Sequence, residues 1–186
     1  IKHGVDTDFW KPDDTVERDN VCLSVVNDWP NRDWCCGFNL WKQTAYDLPL
    51  RVFGKSPGLS KAAKDTEELR QIYQQSRIFY NTSLHSPVPT VMLEAMACGC
   101  AIVSTNTCMI PEIIKHGHNG LISDNPSELR SYLEMLLNNP HMAKTLGQNA
   151  RKTIEDEYNL NKFTTGWNKL FYDTIENYTD VIIEGQ

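Results

Sequence analysis

The sequence lacks the features that mark membrane-spanning and nucleic-acid-binding chains. None of its apolar runs approaches the roughly 20 residues that a membrane-spanning helix needs. It has no excess of positive charge either. Its 18 Lys and Arg stand against 24 Asp and Glu, a net charge of −6, which argues against binding to nucleic acid or an anionic membrane surface. Because 40% of the 186 residues are hydrophobic, the chain can form the core of one domain.

The common cofactor and catalytic motifs are also missing. The absence of G-x-G-x-x-G disfavours an ordinary NAD site. The absence of G-x-x-x-x-G-K-[ST] and G-x-S-x-G disfavours kinase-type phosphate loops and serine hydrolases. The six cysteines show no C-x-x-C spacing and the five histidines no H-x-x-x-H spacing, so we expect neither a metal site nor a cofactor.

The cysteines are poorly placed for disulfides, since Cys35 directly precedes Cys36 and only Gly99 separates Cys98 from Cys100. We expect reduced thiols that serve as small hydrophobic side chains, which favours a cytoplasmic protein. No signal peptide is visible. Because the chain begins at Ile1 and not at a methionine, we expect it to be a piece of a longer protein.

Short apolar strands alternate with helical segments along the chain. Residues 1–20 are polar and turn-rich, which predicts a linker. Buried strands are predicted at 21–26, 48–54, 77–83 and 100–105, a short helix and strand within 111–123, and further helices at 36–45, 66–75, 91–99, 126–138 (capped by Ser127), 140–156 and 159–178. This alternation is typical of βαβ units. We therefore expect an α/β fold with a doubly wound, mainly parallel sheet and helices on both faces.

Glu94 is the most informative residue for function. It stands in the apolar helical segment VMLEAMA, where a bare carboxylate would cost several kcal/mol unless a partner satisfies it. A hydroxyl-bearing ligand at the end of a cleft would satisfy it, and so would a core partner such as an arginine. In a sheet of this type, ligands bind at the carboxyl ends of the strands, and the loops expected there follow Val26, Gly54, Ser83 and Thr105.

The turn before this helix is rich in polar side chains: Ser83, His85, Ser86 and Thr90. The first amides of the helix, near Thr90, have no intrahelical partner and carry the positive end of the helix dipole, which suits a phosphate. Ordinary N-capping by Ser86 or Thr90 is the alternative, and both can hold. Arg32 and Lys55 follow the first and second strands, where each could contact a diphosphate or simply be solvated.

Residues 86–122 carry the most specific motif of the chain. The stretch SPVPTVMLEAMACGCAIVST, followed by PEIIKHGHNGLIS, is similar to E-G-F-G-L-x-x-x-E-A-M-A-x-G-x-P-V-V-A-S and P-E-x-[IV]-x-x-G-x-N-G-x-L. This pattern is the signature of family-4, or group 1, glycosyltransferases, which the chain resembles. The opening IKHGVDTDFWKP resembles I-x-N-G-V-D-x-x-x-F-x-P, which in the family leads into the second of two Rossmann-like domains of the GT-B fold. The similarity therefore extends over about residues 1–177.

The resemblance implies a retaining, metal-independent hexosyltransferase of glycan biosynthesis. Such an enzyme moves a sugar from a nucleotide-diphosphate donor, such as a UDP- or GDP-sugar, to an acceptor hydroxyl. The chain then divides into an incoming linker (1–20), a nucleotide-sugar-binding Rossmann-like domain (21–158), a crossover helix (159–178) and a tail (179–186). Under the resemblance, the amino-terminal, acceptor-binding domain would lie outside these 186 residues, so we expect these residues alone to bind nucleotide but turn over little.

The resemblance also assigns donor-binding positions. In the family's E-x₇-E pattern, the second Glu bonds the ribose hydroxyls and falls on Glu94. The first contacts the donor sugar and falls on Ser86, the candidate catalytic position, which cannot supply negative charge. A family glycine falls on Pro89, which has no N–H for a phosphate, whereas Thr90 and Val91 keep theirs.

The family's diphosphate-gripping cations, in G-R-x₄-K, match Asn27 and Arg32 here, so one cation is kept and the other lost. The family's extra β-α unit before the helix at 66–75 does not fit the short sequence, and the identity of the base therefore stays open.

The helix at 159–178 resembles the family's carboxyl-terminal helix, which crosses back to the missing domain. Its apolar stripe, taken on spacing alone, predicts a packing face formed by Phe163, Trp167, Leu170, Phe171 and Ile175. Under the resemblance, Trp167 and Phe171 would instead expose apolar surface.

Two other functions stay open. Ser86 and Asn27 motivate a degenerate domain of the same fold that binds or assembles without transfer. An unrelated flavodoxin-like or receiver module would need an acidic cluster after the first strand, where VCLSVVND offers only Asp28.

Overall fold

The chain forms a five-stranded parallel sheet in the order β2-β1-β3-β4-β5. The computed structural model describes residues 1–184, with side chains as far as residue 176. The strands are β1 (Asp19–Val25), β2 (Leu50–Phe53), β3 (Ser76–Asn81), β4 (Ala101–Ser104) and β5 (Leu121–Ile122). The helices are α1 (Asp33–Cys36), preceded by a 3₁₀ turn (Pro30–Arg32), α2 (Phe38–Ala45), α3 (Thr66–Gln75), α4 (Thr90–Ala97), α5 (Ile110–Ile113), α6 (Pro126–Asn138), α7 (Pro140–Glu157) and α8 (Leu160–Glu184).

Alternate side chains of the strands enter two hydrophobic cores, one on each face of the sheet. Leu23 and Phe79 belong to the core that α3, α4 and part of α7 complete. Cys22 and Ile78 belong to the core that α2 and α6 complete. Successive strand residues face opposite sides, so a strand between two helical layers must be apolar on both. The predicted α/β fold with a doubly wound parallel sheet is confirmed.

Several local features differ from the prediction. β2 is half-buried rather than buried, because it lies at the edge of the sheet. The predicted helix at 36–45 is interrupted at Gly37, whose positive φ ends α1 and precedes α2. Asn125 caps α6 in place of Ser127, since its side chain accepts a hydrogen bond from the Ser127 amide. Between β2 and α3 the described chain contains no further strand or helix, as the short sequence predicts.

Most of the apolar stripe of α8 is exposed, although Phe163 at its start is half-buried against Gly4. Trp167 and Phe171 are 38% and 57% exposed, and Leu170 and Ile175 are exposed as well. The packing-face prediction is therefore wrong for the exposed members of the stripe and holds only for Phe163, and the expectation of exposed apolar surface at Trp167 and Phe171 is confirmed. At 25 residues and 1.5 Å per residue, α8 is about 37 Å long and exceeds the width of a small domain.

The final helix also continues past the predicted end at 178 to Glu184, and residues 185–186 lie outside the described chain. At its start α8 is joined to the amino-terminal segment, because the Leu160 amide donates to the Val5 carbonyl oxygen at 3.0 Å. None of the helices within residues 1–184 is both long and apolar enough to cross a membrane.

One glycine in α7 lies directly against the backbone that precedes β4. A Cβ added at Gly147 would lie 2.2 Å from the Gly99 carbonyl oxygen, whereas one added at Gly166 in α8 would meet no atom closer than 3.5 Å. We expect Gly147→Ala to destabilise the domain by about 1–3 kcal/mol through overpacking. Gly166→Ala should instead stabilise it by about 0.5–1 kcal/mol. Urea unfolding of both variants tests this, and equal effects would contradict close packing of α7 at Gly147.

Candidate functional site

The loops that follow β1 and β2 are joined by hydrogen bonds at the carboxyl edge of the sheet. The Asn27 side-chain oxygen accepts from the Lys55 amide at 2.8 Å. The Asp28 amide donates to the Lys55 carbonyl oxygen, also at 2.8 Å. The Ser56 hydroxyl donates to the Val26 carbonyl oxygen at 3.0 Å. These bonds set the backbone of Asn27 and Lys55 side by side at the expected site.

The loop after β3 is held on both sides. Toward α1, the Cys35 carbonyl oxygen accepts from the amides of Leu84 and His85 at 2.8 and 3.1 Å. Toward the loop after β4, the hydroxyls of Thr105 and Thr107 donate to the Ser83 carbonyl oxygen at 2.5 and 2.6 Å. Hydrogen bonds thus join the predicted loops along the carboxyl edge of the sheet. The same bonds fix the turn that leads into α4.

Helix α4 begins without a side-chain cap. Pro89 occupies the cap position, and its carbonyl oxygen accepts from the Met92 amide at 3.0 Å. The alternative in which Ser86 or Thr90 caps the helix is therefore wrong. Among the described residues, no acceptor meets the amides of Thr90 and Val91. The positive end of this helix is consequently open to a ligand.

Glu94 lies one turn into α4 and is half-buried. Its Oε2 accepts a hydrogen bond from the Tyr73 hydroxyl at 3.1 Å. Burial raises the pKa of Glu94 above its ordinary value, and the bond from Tyr73 opposes that rise. Among the side chains that the structure describes, residues 1–176, no cation forms an ion pair with Glu94. The core-partner alternative holds in part, because the buried partner is the Tyr73 hydroxyl rather than an arginine and it meets Oε2 alone. No described donor meets Oε1, which can accept from a ligand.

Tyr73 is the partner that sequence reasoning missed. It lies in α3 and is fully buried, and burial together with the nearby Glu94 carboxylate raises its pKa well above the ordinary value. Its hydroxyl therefore stays protonated and acts as a donor. A phenol on the buried face of an amphipathic helix needs a polar partner, and that requirement was the available signal in the sequence.

The remaining candidates lie around the start of α4 or in the loops after β1 and β2. Ser86 is half-buried, and its hydroxyl has no partner within the described chain. Arg32 is exposed, and its Nη1 reaches the Asn27 carbonyl oxygen at 3.4 Å. Lys55 is exposed as well. Arg32 and Lys55 thus leave two positive charges accessible at this edge.

The opposite edge of the sheet holds a cavity of about 540 Å³, and two of its arginines serve the fold. Arg18 donates to the Cys98 carbonyl oxygen at 2.5 Å, and Arg151 donates to the Ala97 carbonyl oxygen at 2.9 Å. Both arginines therefore stabilise the negative end of α4. In the described part of the chain, no group of three or more His, Cys, Asp or Glu side chains is placed to hold a metal ion.

A Rossmann-like parallel sheet with an open helix amino terminus and a half-buried carboxylate at its carboxyl edge defines an α/β ligand-binding domain. The family model for glycosyl transferases group 1 matches residues 40–153, and the chain belongs to this family. The resemblance drawn from residues 86–122 is therefore confirmed.

Relatives and solved structures agree with this membership. The chain is 28% identical over 124 residues to the alpha-maltose-1-phosphate synthase of Mycolicibacterium smegmatis, a match that spans 62% of this chain and 30% of that protein. The carboxyl-terminal domain of a group 1 glycosyl transferase from Francisella tularensis shares the fold with a TM-score of 0.65, at 17% identity, over 84% of this chain and all of that one. Anabaena HepE in complex with UDP gives a TM-score of 0.72, at 16% identity, over 94% of this chain and 56% of that one.

Proposed function

We propose that the chain is the donor-binding domain of a retaining, metal-independent glycosyltransferase, which transfers a hexose from a nucleotide-diphosphate sugar to an acceptor hydroxyl. The observation that carries the proposal is the Glu94 carboxylate. It is half-buried, lies one turn into a helix without a side-chain cap, and has one oxygen that no described donor meets. A ligand that carries ribose hydroxyls next to a diphosphate fits both features.

Each part of the donor has its own contact in this proposal. Glu94 accepts from the ribose hydroxyls. The amides of Thr90 and Val91 and the guanidinium of Arg32 meet the diphosphate, and the dipole of α4 adds positive potential. The Ser86 hydroxyl contacts the donor sugar. Arginine and helix dipole together supply the positive charge that the leaving diphosphate needs, so the mechanism requires no metal ion.

The loops after β1 and β2 complete the phosphate side of the site. The side-chain oxygen of Asn27 accepts a hydrogen bond from the Lys55 amide. The Asn27 side-chain NH₂ group is therefore available to donate to an oxygen of the nucleotide sugar. Lys55 carries the second accessible cation of this edge. We propose that Asn27 and Lys55 together take the place of the cation that this chain lacks at the family position.

A UDP-sugar is the first donor to test. HepE, whose fold this chain shares, forms complexes with UDP and with UDP-glucose. The chain matches 56% of HepE, and we propose that the acceptor is held by a domain outside these 186 residues. A cytoplasmic site of action is supported by six cysteines that all lie in the described chain and form no disulfide.

A second candidate is a domain of the same fold that binds nucleotide without transfer. The observation that favours it is the Ser86 side chain, a neutral hydroxyl at the position where the family places a carboxylate. A hydroxyl can hydrogen-bond a sugar but cannot stabilise positive charge on an oxocarbenium-like transition state. Sugar transfer by the longer protein would rule out this candidate.

Isothermal titration of the chain with UDP, GDP and ADP tests the proposed function. We expect saturable binding of at least one nucleoside diphosphate, and about tenfold weaker binding by Arg32→Ala, since one charge-assisted hydrogen bond to phosphate is lost. Lys144→Ala at the opposite edge is the matched control and should bind as the wild type does. If none of the three nucleotides binds, the donor-site proposal fails.

A further inference from the structure

Trp34 is an exposed aromatic side chain beside the candidate site. Its exposed fraction is 69%, against 8% for Trp10, 0% for Trp29 and 8% for Trp41. Its neighbour Cys35 is buried, so the indole points away from the core while the backbone next to it is anchored. An exposed indole forgoes the free energy that burial of its apolar surface would contribute. A ligand that covers the ring would recover that free energy.

The segment that carries Trp34 is held firmly. The Cys36 carbonyl oxygen accepts from the Trp29 indole N–H at 2.8 Å and from the Thr82 hydroxyl at 2.9 Å. The Cys35 carbonyl oxygen accepts from the backbone of His85. These bonds tie α1 to the loop after β3. A ring mounted on such a segment loses little backbone entropy when a ligand covers it.

The same bonds bring the rings of Trp34 and His85 together. Their centroids are 6.3 Å apart and their planes differ by 36°. His85 is exposed and directly precedes Ser86. The two rings, here named the Trp34–His85 platform, therefore lie on the Ser86 side of the α4 amino terminus, whereas Glu94 lies one turn inside the helix.

We propose that the Trp34–His85 platform stacks against the sugar ring of the nucleotide-sugar donor, an inference that rests on the proposed function. A nucleotide sugar is linear, with the diphosphate between ribose and sugar. If Glu94 binds ribose and the Thr90 amide binds the diphosphate, the sugar extends toward Ser86 and His85. A pyranose has an apolar C–H face that suits the indole and a rim of hydroxyls that suits the imidazole nitrogens.

The test compares the affinities of UDP and UDP-glucose by isothermal titration. For the wild type we expect UDP-glucose to bind more tightly than UDP. Trp34→Ala should weaken the binding of UDP-glucose by about tenfold, the scale of one aromatic stacking contact, and leave the affinity for UDP unchanged. Trp34→Phe should retain most of the advantage. Trp167→Ala, an exposed tryptophan on α8, is the matched control.

The outcomes separate this inference from the proposed function. The platform inference is overturned, and the donor site stands, if the wild type binds UDP but Trp34→Ala keeps the full gain in affinity of UDP-glucose over UDP. The same conclusion follows if the wild type binds UDP-glucose, UDP-N-acetylglucosamine and UDP-galactose no more tightly than UDP. If the wild type binds none of UDP, GDP and ADP, the proposed function fails and the inference fails with it. Thermal unfolding of Trp34→Ala verifies that the exposed substitution leaves the fold intact.

Discussion

Glu94→Gln is expected to weaken nucleotide binding by about 10- to 100-fold and, at pH 7, to raise the free energy of unfolding. The loss of affinity follows because a neutral amide replaces a charged acceptor of ribose hydroxyls, and hydrogen bonds to charged groups are worth about 1.5–3 kcal/mol. The gain in stability follows because the fold no longer has to desolvate a half-buried carboxylate. Isothermal titration and urea unfolding measure the two effects.

The gain in stability should depend on pH in a defined direction. Burial raises the pKa of Glu94 above its ordinary value of 4.5. The folded state then binds this proton more tightly than the unfolded state, so the contribution of Glu94 to stability is most favourable below pH 4.5 and declines as the pH rises through the raised pKa. Glutamine does not titrate. The advantage of Glu94→Gln should therefore be small near pH 4 and complete once the pH exceeds the raised pKa.

Glu176→Gln is the control for charge alone, because Glu176 is exposed on α8. It should leave nucleotide affinity unchanged. If Glu94→Gln kept the wild-type nucleotide affinity, Glu94 would have no part in donor binding. If it instead lost stability at pH 7, the hydrogen bond from Tyr73 would outweigh the cost of burying the charge.

Gly37→Ala is expected to destabilise the domain by at least about 3 kcal/mol and to reduce nucleotide binding. Gly37 has a φ of 63°, and a Cβ there would lie 2.1 Å from the Thr82 carbonyl oxygen. Alanine therefore incurs both the left-handed backbone cost of about 1–2 kcal/mol and an overlap with fixed backbone. Relief of that overlap requires α1 to move away from the loop after β3, which leads to the start of α4.

Gly58→Ala separates the two costs. Gly58 has a φ of 78°, but a Cβ there would meet no atom within 4 Å. This variant should lose only about 1–2 kcal/mol, the backbone part alone. Urea unfolding of both variants gives the difference, and nucleotide titration of Gly37→Ala reports on the site. Equal losses of stability in the two variants would show that the close approach of Gly37 to Thr82 does not constrain the fold.

The sheet could be predicted because its signals are local. A run of four to six apolar residues between turn signals predicts a buried strand whatever lies elsewhere in the chain, and β1, β3 and β4 confirm this. β2 was predicted as buried and is only half-buried. The cause is its position at the sheet edge, which depends on the order of strands in space and leaves no mark on its own residues.

The site was predictable in part for the same reason. A lone carboxylate in an apolar helix is visible in the sequence, and this alone predicts Glu94 as a site residue. Its hydrogen bond to Tyr73 joins residues 21 positions apart, and the start of α4 takes Pro89 at its cap where Ser86 and Thr90 are the better cappers by residue type. Both features follow from how the turn and α3 sit against α4.

The sequence itself determined the succession of strands and helices along the chain, the apolar stripe of α8 and the unusual position of Glu94. Each of these follows from neighbouring residues and their spacing. Tertiary structure alone decided that Tyr73 donates to Glu94, that Cys35 anchors the loop beside Trp34 and that Trp167 and Phe171 of α8 stay exposed. These features arise between segments distant in the chain. They exist only once the parallel sheet has brought the carboxyl ends of its strands to one edge.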